Sequence, residues 1–204
     1  MKQAVKLLMV SAVVLMVACA VTPKQGVPSD TPTRERLSMD FRWEFSLGHR
    51  CDVEKDFGYS ENRSKTPSGR GPASPKFKAE GWQIVNIPHD WAVALDVDKD
   101  ADAMHAYKKV GYKYPENSVG WYRKTFEIPK SDLGKRIVVE FDGVFRDCEV
   151  WLNGHPMCRN LSGYTSFTFD ITDYVNYGGK NVLVVRVDAS GYELWSYEGA
   201  GIYR

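Results

Sequence analysis

Apolar and polar positions alternate in short runs along most of the chain, with the two-residue period of half-buried strands. Phe41, Trp43 and Phe45 share one parity and predict a first strand over 39–45. Residues 82–88 read as a strand closed by Pro88, which has no ladder donor. At 121–128, Tyr122, Lys124, Phe126 and Ile128 share a face, and 136–141 is a buried-type run. Residues 148–152 and 155–158 flank Asn153-Gly154, a strong two-residue hairpin signal. A short strand follows at 167–171, then a long one at 181–188 built on Val-Leu-Val-Val-Arg-Val. Two polar stretches interrupt the series. Residues 47–80, rich in Gly, Ser, Pro, Lys and Arg, read as a long surface loop, and 96–118 as a second excursion. Only Ser131-Asp-Leu reads as a helical turn. About eight or nine short strands with almost no helical periodicity predict an all-β sandwich.

The hairpin also makes a statement about cysteines. In a plain two-residue register Leu152 faces His155, Val150 faces Met157, Cys148 faces Arg159 and Glu149 faces Cys158. Side chains alternate faces along a strand, so Cys148 and Cys158 are expected on opposite sides and unbridged. With Cys51, three cysteines remain outside the N-terminal segment. No CxxC or His-rich spacing suggests a metal site.

That N-terminal segment is a targeting signal. Lys2 and Lys6 precede an apolar stretch over 7–18, too short to span a bilayer, and Cys19 follows Ala18 directly. This resembles a bacterial lipoprotein signal, in which the Cys is lipidated at the new N-terminus; the alternative is ordinary secretory cleavage near Ala18 or Ala20. The organisation expected is a signal peptide over 1–18, a flexible tether over 19–37 rich in Pro, Thr, Ser and charge, and a folded body over 38–204. The expected location is the periplasm or the outer membrane, with membrane contact only through a lipid anchor at Cys19.

Charge narrows the function classes. The chain carries 27 basic and 26 acidic side chains. The basic ones are dispersed, so no nucleic-acid partner is expected. Aromatics make up 13% and six are Trp. That fits a carbohydrate-facing surface as well as a sandwich core that needs large side chains.

Several strings carry a more specific signal. They are Ile87-Pro-His-Asp-Trp91, Pro115-Glu-Asn-Ser-Val-Gly-Trp-Tyr-Arg-Lys-Thr-Phe126, Glu140-Phe-Asp-Gly-Val-Phe-Arg-Asp147, Val150-Trp-Leu-Asn-Gly154, Gly163-Tyr-Thr-Ser-Phe167, Asp170-Ile-Thr-Asp173, Asn181-Val-Leu-Val-Val-Arg-Val-Asp188 and Tyr197-Glu-Gly-Ala-Gly-Ile-Tyr-Arg204. In this order they resemble the N-terminal sugar-binding domain of glycoside hydrolase family 2, especially its β-galactosidase-like members. The resemblance implies a jelly-roll-like, galactose-binding-domain-like β-sandwich. It also implies a longer parent, in which an immunoglobulin-like sandwich and a TIM barrel follow. The barrel carries the two carboxyl groups of a retaining mechanism, about 5 Å apart. A barrel needs roughly 250 residues, so residues 38–204 are expected to lack both it and a last strand of the sandwich.

The same resemblance nominates residues. Asn117, in Pro115-Glu116-Asn117-Ser118-Val119-Gly120, matches an Asn that reaches into the sugar subsite of the family, and an amide offers both donor and acceptor to vicinal hydroxyls. The other reading of Asn117 is a turn residue capping its own loop. Glu193, Trp195 and Glu198 lie on a loop near the active-site mouth in the family; packing at a domain joint is the competing role. His89-Asp90 reads as a structural turn, and Arg146 and Asp147 as an ion pair or turn. No catalytic residue and no cofactor are assigned. The function expected is the N-terminal domain of an exported retaining β-glycosidase, inactive alone, whose parent acts on β-linked glycosides. A stand-alone carbohydrate-binding lipoprotein is the alternative.

Overall fold

The computed structural model describes residues 34–59, 71–194 and 197–203. The expected signal peptide, Cys19, most of the tether, Trp195 and Arg204 lie outside the described residues. Ser38–Arg204 forms one compact unit. Its strands are β1 (Trp43–Leu47), β2 (Gln83–Val85), β3 (His89–Asp90), β4 (Val119–Glu127), β5 (Val138–Phe141), β6 (Val144–Phe145), β7 (Cys148–Leu152), β8 (His155–Asn160), β9 (Phe167–Asp170), β10 (Lys180–Asp188) and β11 (Gly201–Ile202). A six-stranded sheet runs β2-β1-β4-β10-β7-β8, beside a three-stranded sheet β3-β11-β6 and the pair β5-β9. The pairings within all three are antiparallel. There is no α-helix among the described residues, only short 3-10 turns, one of them at Lys130–Asp132 over the turn expected near 131.

Alternation along these strands builds the main core. Trp43 and Phe45, Tyr122, Val150 and Leu152, and Leu183, Val185 and Val187 turn to one face of the six-stranded sheet. They pack on Val139, Phe141, Val144, Phe145 and Ile202 from the smaller sheets. The opposite parity is buried as well. Trp121, Trp151, Val182 and Val184 lie under Tyr59 and Ala73, with Phe57 and Trp82 at the margin. Trp121 stacks on Trp151 with centroids 5.7 Å apart, and Tyr59 meets both edge-on. A sheet covered on both faces explains why β10 is a nearly unbroken apolar run rather than an alternating one.

The cover over that second face corrects one expectation. Residues 48–59 and 71–82 form a packed strap, not a loose surface loop. The buried Arg123 guanidinium donates to the carbonyls of Pro72, Ser74, Pro75 and Phe77, at 2.7–3.2 Å. Asp56, also buried, accepts from Arg186 Nε and Nη2 (3.1 and 3.0 Å) and from Trp121 Nε1 (2.7 Å). The strap is held by charged side chains on backbone carbonyls and by one buried ion pair, so it shows no apolar period.

The hairpin corrects another. Leu152 faces His155 as expected, but an irregularity between Val150 and Trp151 shifts the rest. Trp151 pairs with Pro156, Val150 with Cys158, Glu149 with Arg159 and Cys148 with Asn160, which leaves Met157 as the extra residue. Pro156 cannot donate to the ladder, and a bulge is where a strand tolerates it. The added residue brings Cys158 onto the face of Cys148, against the same core. Cys148 and Cys158 therefore share a face, contrary to the expectation from a plain two-residue register. The three cysteines of the described residues are free thiols. Burial pushes Cys148 up to about 12, with Cys158 adding to the shift, and burial pushes Cys158 up to about 11.

Candidate functional site

Asn117 ends a turn whose backbone is fixed from several directions. Its N–H donates to Tyr114 O (3.0 Å), and its carbonyl accepts from Trp91 Nε1 (2.8 Å). Ser118, buried beside it, donates from Oγ to Tyr114 O (2.6 Å) and accepts the Gly111 N–H (2.9 Å). Arg50 N donates to Pro115 O, and Ala189 N to Ser118 O. The hydroxyl that braces this loop is Ser118. The Asn117 side-chain amide makes no hydrogen bond among the described residues. An unspent amide on an anchored backbone is a preorganised donor and acceptor.

Trp91 links this turn to the second nominated loop. Asp90, next to it, caps the 3-10 turn Trp91–Ala94 by accepting the Ala92 N–H (3.0 Å). It also accepts the Ala200 N–H (2.9 Å) and the Tyr197 hydroxyl (2.9 Å). Burial, then the hydrogen bond to Asp90 and its charge, pushes the Tyr197 hydroxyl up to about 12. His89 Nδ1 lies 2.8 Å from the buried Tyr122 hydroxyl. Desolvation lowers the His89 pKa and raises that of Tyr122 well above the usual range. The His89-Asp90 pair is thus bound up in architecture, in a two-residue strand rather than a turn.

Glu193 and Glu198 are both spent on shaping the loop. Glu198 is wholly buried; its N–H donates to Met104 O (2.8 Å), and its Oε1 accepts the Glu193 N–H (2.7 Å). Its carbonyl lies 2.8 Å from His105 Nδ1, which fixes the proton on that nitrogen. Glu193 Oε1 accepts the Gly163 N–H (2.7 Å) and pairs with Arg146 Nε (3.3 Å). Arg146 and Asp147 are therefore not partners of one another. Asp147 instead takes Arg159 in a bidentate pair at 2.7 and 2.8 Å. Adjacent residues on a chain that bends between β6 and β7 point apart, which separates them. Trp195 lies outside the described residues.

His105 is a residue that sequence reasoning missed. It is fully buried inside a polar excursion that offered no periodicity. The one usable signal was Asp102, whose side chain accepts the Met104 N–H (2.8 Å) and starts the 3-10 turn Ala103–His105. Among the described residues no group of three or more His, Cys, Asp or Glu side chains converges to hold a metal. Asn117 and the 193–198 loop thus share one end of the sandwich, on either side of Asp90-Trp91. This end supplies shape and hydrogen bonds.

The chain matches known proteins along most of this unit. The family model for the sugar-binding domain of glycosyl hydrolases family 2 matches residues 78–204. A β-galactosidase of Bacteroides ovatus, BoGH2A, is 35% identical over 173 residues, 84% of this chain and 17% of that protein. A putative β-glucuronidase of Formosa agariphila is 40% identical over 138 residues, 64% of this chain and 13% of that protein. Among solved structures, a glycosyl hydrolase family 2 member from Bacteroides cellulosilyticus superposes with a TM-score of 0.66 at 30% identity, covering 82% of this chain and 19% of the other. The chain spans less than a fifth of the length of each of these proteins. The fold they share with it is the galactose-binding-like β-sandwich.

Proposed function

We propose, for a chain that belongs to glycoside hydrolase family 2 and folds as that family's sugar-binding domain, that it forms the N-terminal part of an exported retaining β-glycosidase acting on β-galactosides. The observation that carries this is Asn117: its backbone is held by Trp91 and Tyr114 while its amide is unspent. A rigid loop end with a free donor and acceptor suits vicinal sugar hydroxyls. The choice of galactoside rests on the β-galactosidase that aligns with 84% of the chain. Double displacement needs two carboxyl groups about 5 Å apart across the glycosidic bond. Three carboxylates at this end, Asp90, Glu193 and Glu198, are committed to the protein itself. The chemistry is therefore assigned to a barrel of the parent, and the 204-residue chain is inactive alone.

Titration of the 204-residue chain with methyl β-galactoside is expected to shift the Asn117 side-chain NMR signals saturably at millimolar sugar. Asn117→Ala should weaken binding about tenfold, the worth of one or two hydrogen bonds. Unmoved Asn117 signals refute the role, and hydrolysis of a nitrophenyl β-galactoside above a buffer blank refutes the inactivity. Export and anchoring rest on Lys2, Lys6, the apolar stretch and the Ala18-Cys19 junction. Labelled palmitate should enter the chain in a bacterial host and be lost in Cys19→Ser; equal labelling of the two would disprove the anchor.

A further inference from the structure

We propose that Tyr164 and Tyr197 form an aromatic platform for a second sugar unit, next to the one reached by Asn117, so that the ligand is a β-linked oligosaccharide. Tyr164 and Tyr197 are 40% and 45% exposed, yet neither hydroxyl is free to turn outward. Tyr164 Oη donates to Tyr197 O (3.2 Å), and Tyr197 Oη donates to Asp90 Oδ2 (2.9 Å). Tyr164 also meets Phe145 edge-on at 5.6 Å. Both rings are thus pinned at their polar ends while apolar surface stays open to solvent. Such faces suit the C–H face of a pyranose and lose little conformational entropy on binding.

The chemistry beside the rings points to a neutral sugar. Gly163, adjacent to Tyr164, donates to the Glu193 oxygen that also takes Arg146 Nε. Arg146 commits only Nε among the described residues, so its terminal nitrogens remain as donors for ring hydroxyls. The Glu193 carboxylate already balances its charge, which disfavours a second anion there. The place in the fold ties the two positions together. Asp90 holds Tyr197 and the next residue, Trp91, holds Asn117 O, so the platform and the Asn117 loop are anchored on one short segment of chain. Only the position of the first sugar rests on the Asn117 reading.

The test is NMR titration of the 204-residue chain with methyl β-galactoside and with a β-linked galactotetraose. The tetraose should bind about tenfold more tightly and move the ring signals of Tyr164 and Tyr197, which the monosaccharide leaves in place. Tyr197→Ala and Tyr164→Ala should abolish the gain, so that each variant binds the tetraose no more tightly than the monosaccharide. Tyr197→Phe, which keeps the ring, should stay within about threefold of the parent. The ring signals of the unaltered chain decide the matter even if an alanine variant fails to fold. Rings unmoved by the tetraose, or variants that weaken both ligands equally, overturn the platform. Moving rings with unmoved Asn117 signals would retain the platform and reject the Asn117 role instead.

Discussion

Asp56→Ala is expected to lower the unfolding free energy by about 3–5 kcal/mol, the usual cost of removing one partner of a buried ion pair. Asp56 and Arg186 are both nearly inaccessible, with Nη2 to Oδ2 at 3.0 Å. Arg186 projects from the C-terminal part of β10 into the aromatic layer, its Cζ 4.6 Å from the Tyr59 ring and 5.8 Å from that of Trp121. Without Asp56 the buried Arg186 cation would lose its hydrogen-bonded carboxylate, and the Trp121 indole N–H and the His49 N–H would each lose an acceptor. Urea unfolding of the two chains measures the difference. Asp56→Ala combined with Arg186→Met should recover most of the loss, because the stranded charge is the larger cost. A single variant within about 1 kcal/mol of the parent would show that the strap contributes little to the fold.

The strands that carry the main core were legible because burial on one face leaves a period of two. β7, β9 and β10 fall within a residue or two of their expected positions. β3, β6 and β11 were not legible: two-residue strands are too short to show any period. The strap escaped for a different reason. Its anchors, Asp56 and Arg123, are charged, and a charge paired inside a fold reads in sequence like a charge in water. Arg186 carried a hint of this, since a lone Arg within a run of valines needs a partner if the strand is buried. In the hairpin, Asn153-Gly154 correctly marked the turn, with both residues at positive φ. Pro156 was the overlooked signal, and counting past it as an ordinary residue put Cys158 on the wrong face. At the candidate site the motif located Asn117 and the 193–198 loop. Sequence could not show that Ser118 braces the turn, leaving the Asn117 amide available, or that Glu198 faces inward.

Gly201→Ala is expected to cost several kcal/mol and to disturb the candidate site at the same time. Gly201 sits in β11 with φ at +129°, a conformation that L side chains rarely adopt. Forcing a residue with a Cβ to hold it costs about 1–3 kcal/mol. The added methyl would also collide with His89 O and the Tyr122 hydroxyl, and would approach Trp91 Cε3 to 3.3 Å. Overpacking of that kind costs a further 1–3 kcal/mol or so. Those neighbours belong to the segment whose Asp90 holds Tyr197 and whose Trp91 holds Asn117 O. Relief of the clash must therefore move the two contacts on which both proposed sugar positions depend. Gly134→Ala is the matched control, because Gly134 has φ at +89° and open space where its Cβ would stand. It should show the backbone cost alone and leave the Asn117 signals where they are. Urea unfolding and amide NMR of the two variants separate the effects: equal losses in stability would mean that strain, not contact, governs β11. Displaced Asn117 signals in Gly201→Ala alone would show that this short central strand positions the sugar-binding end.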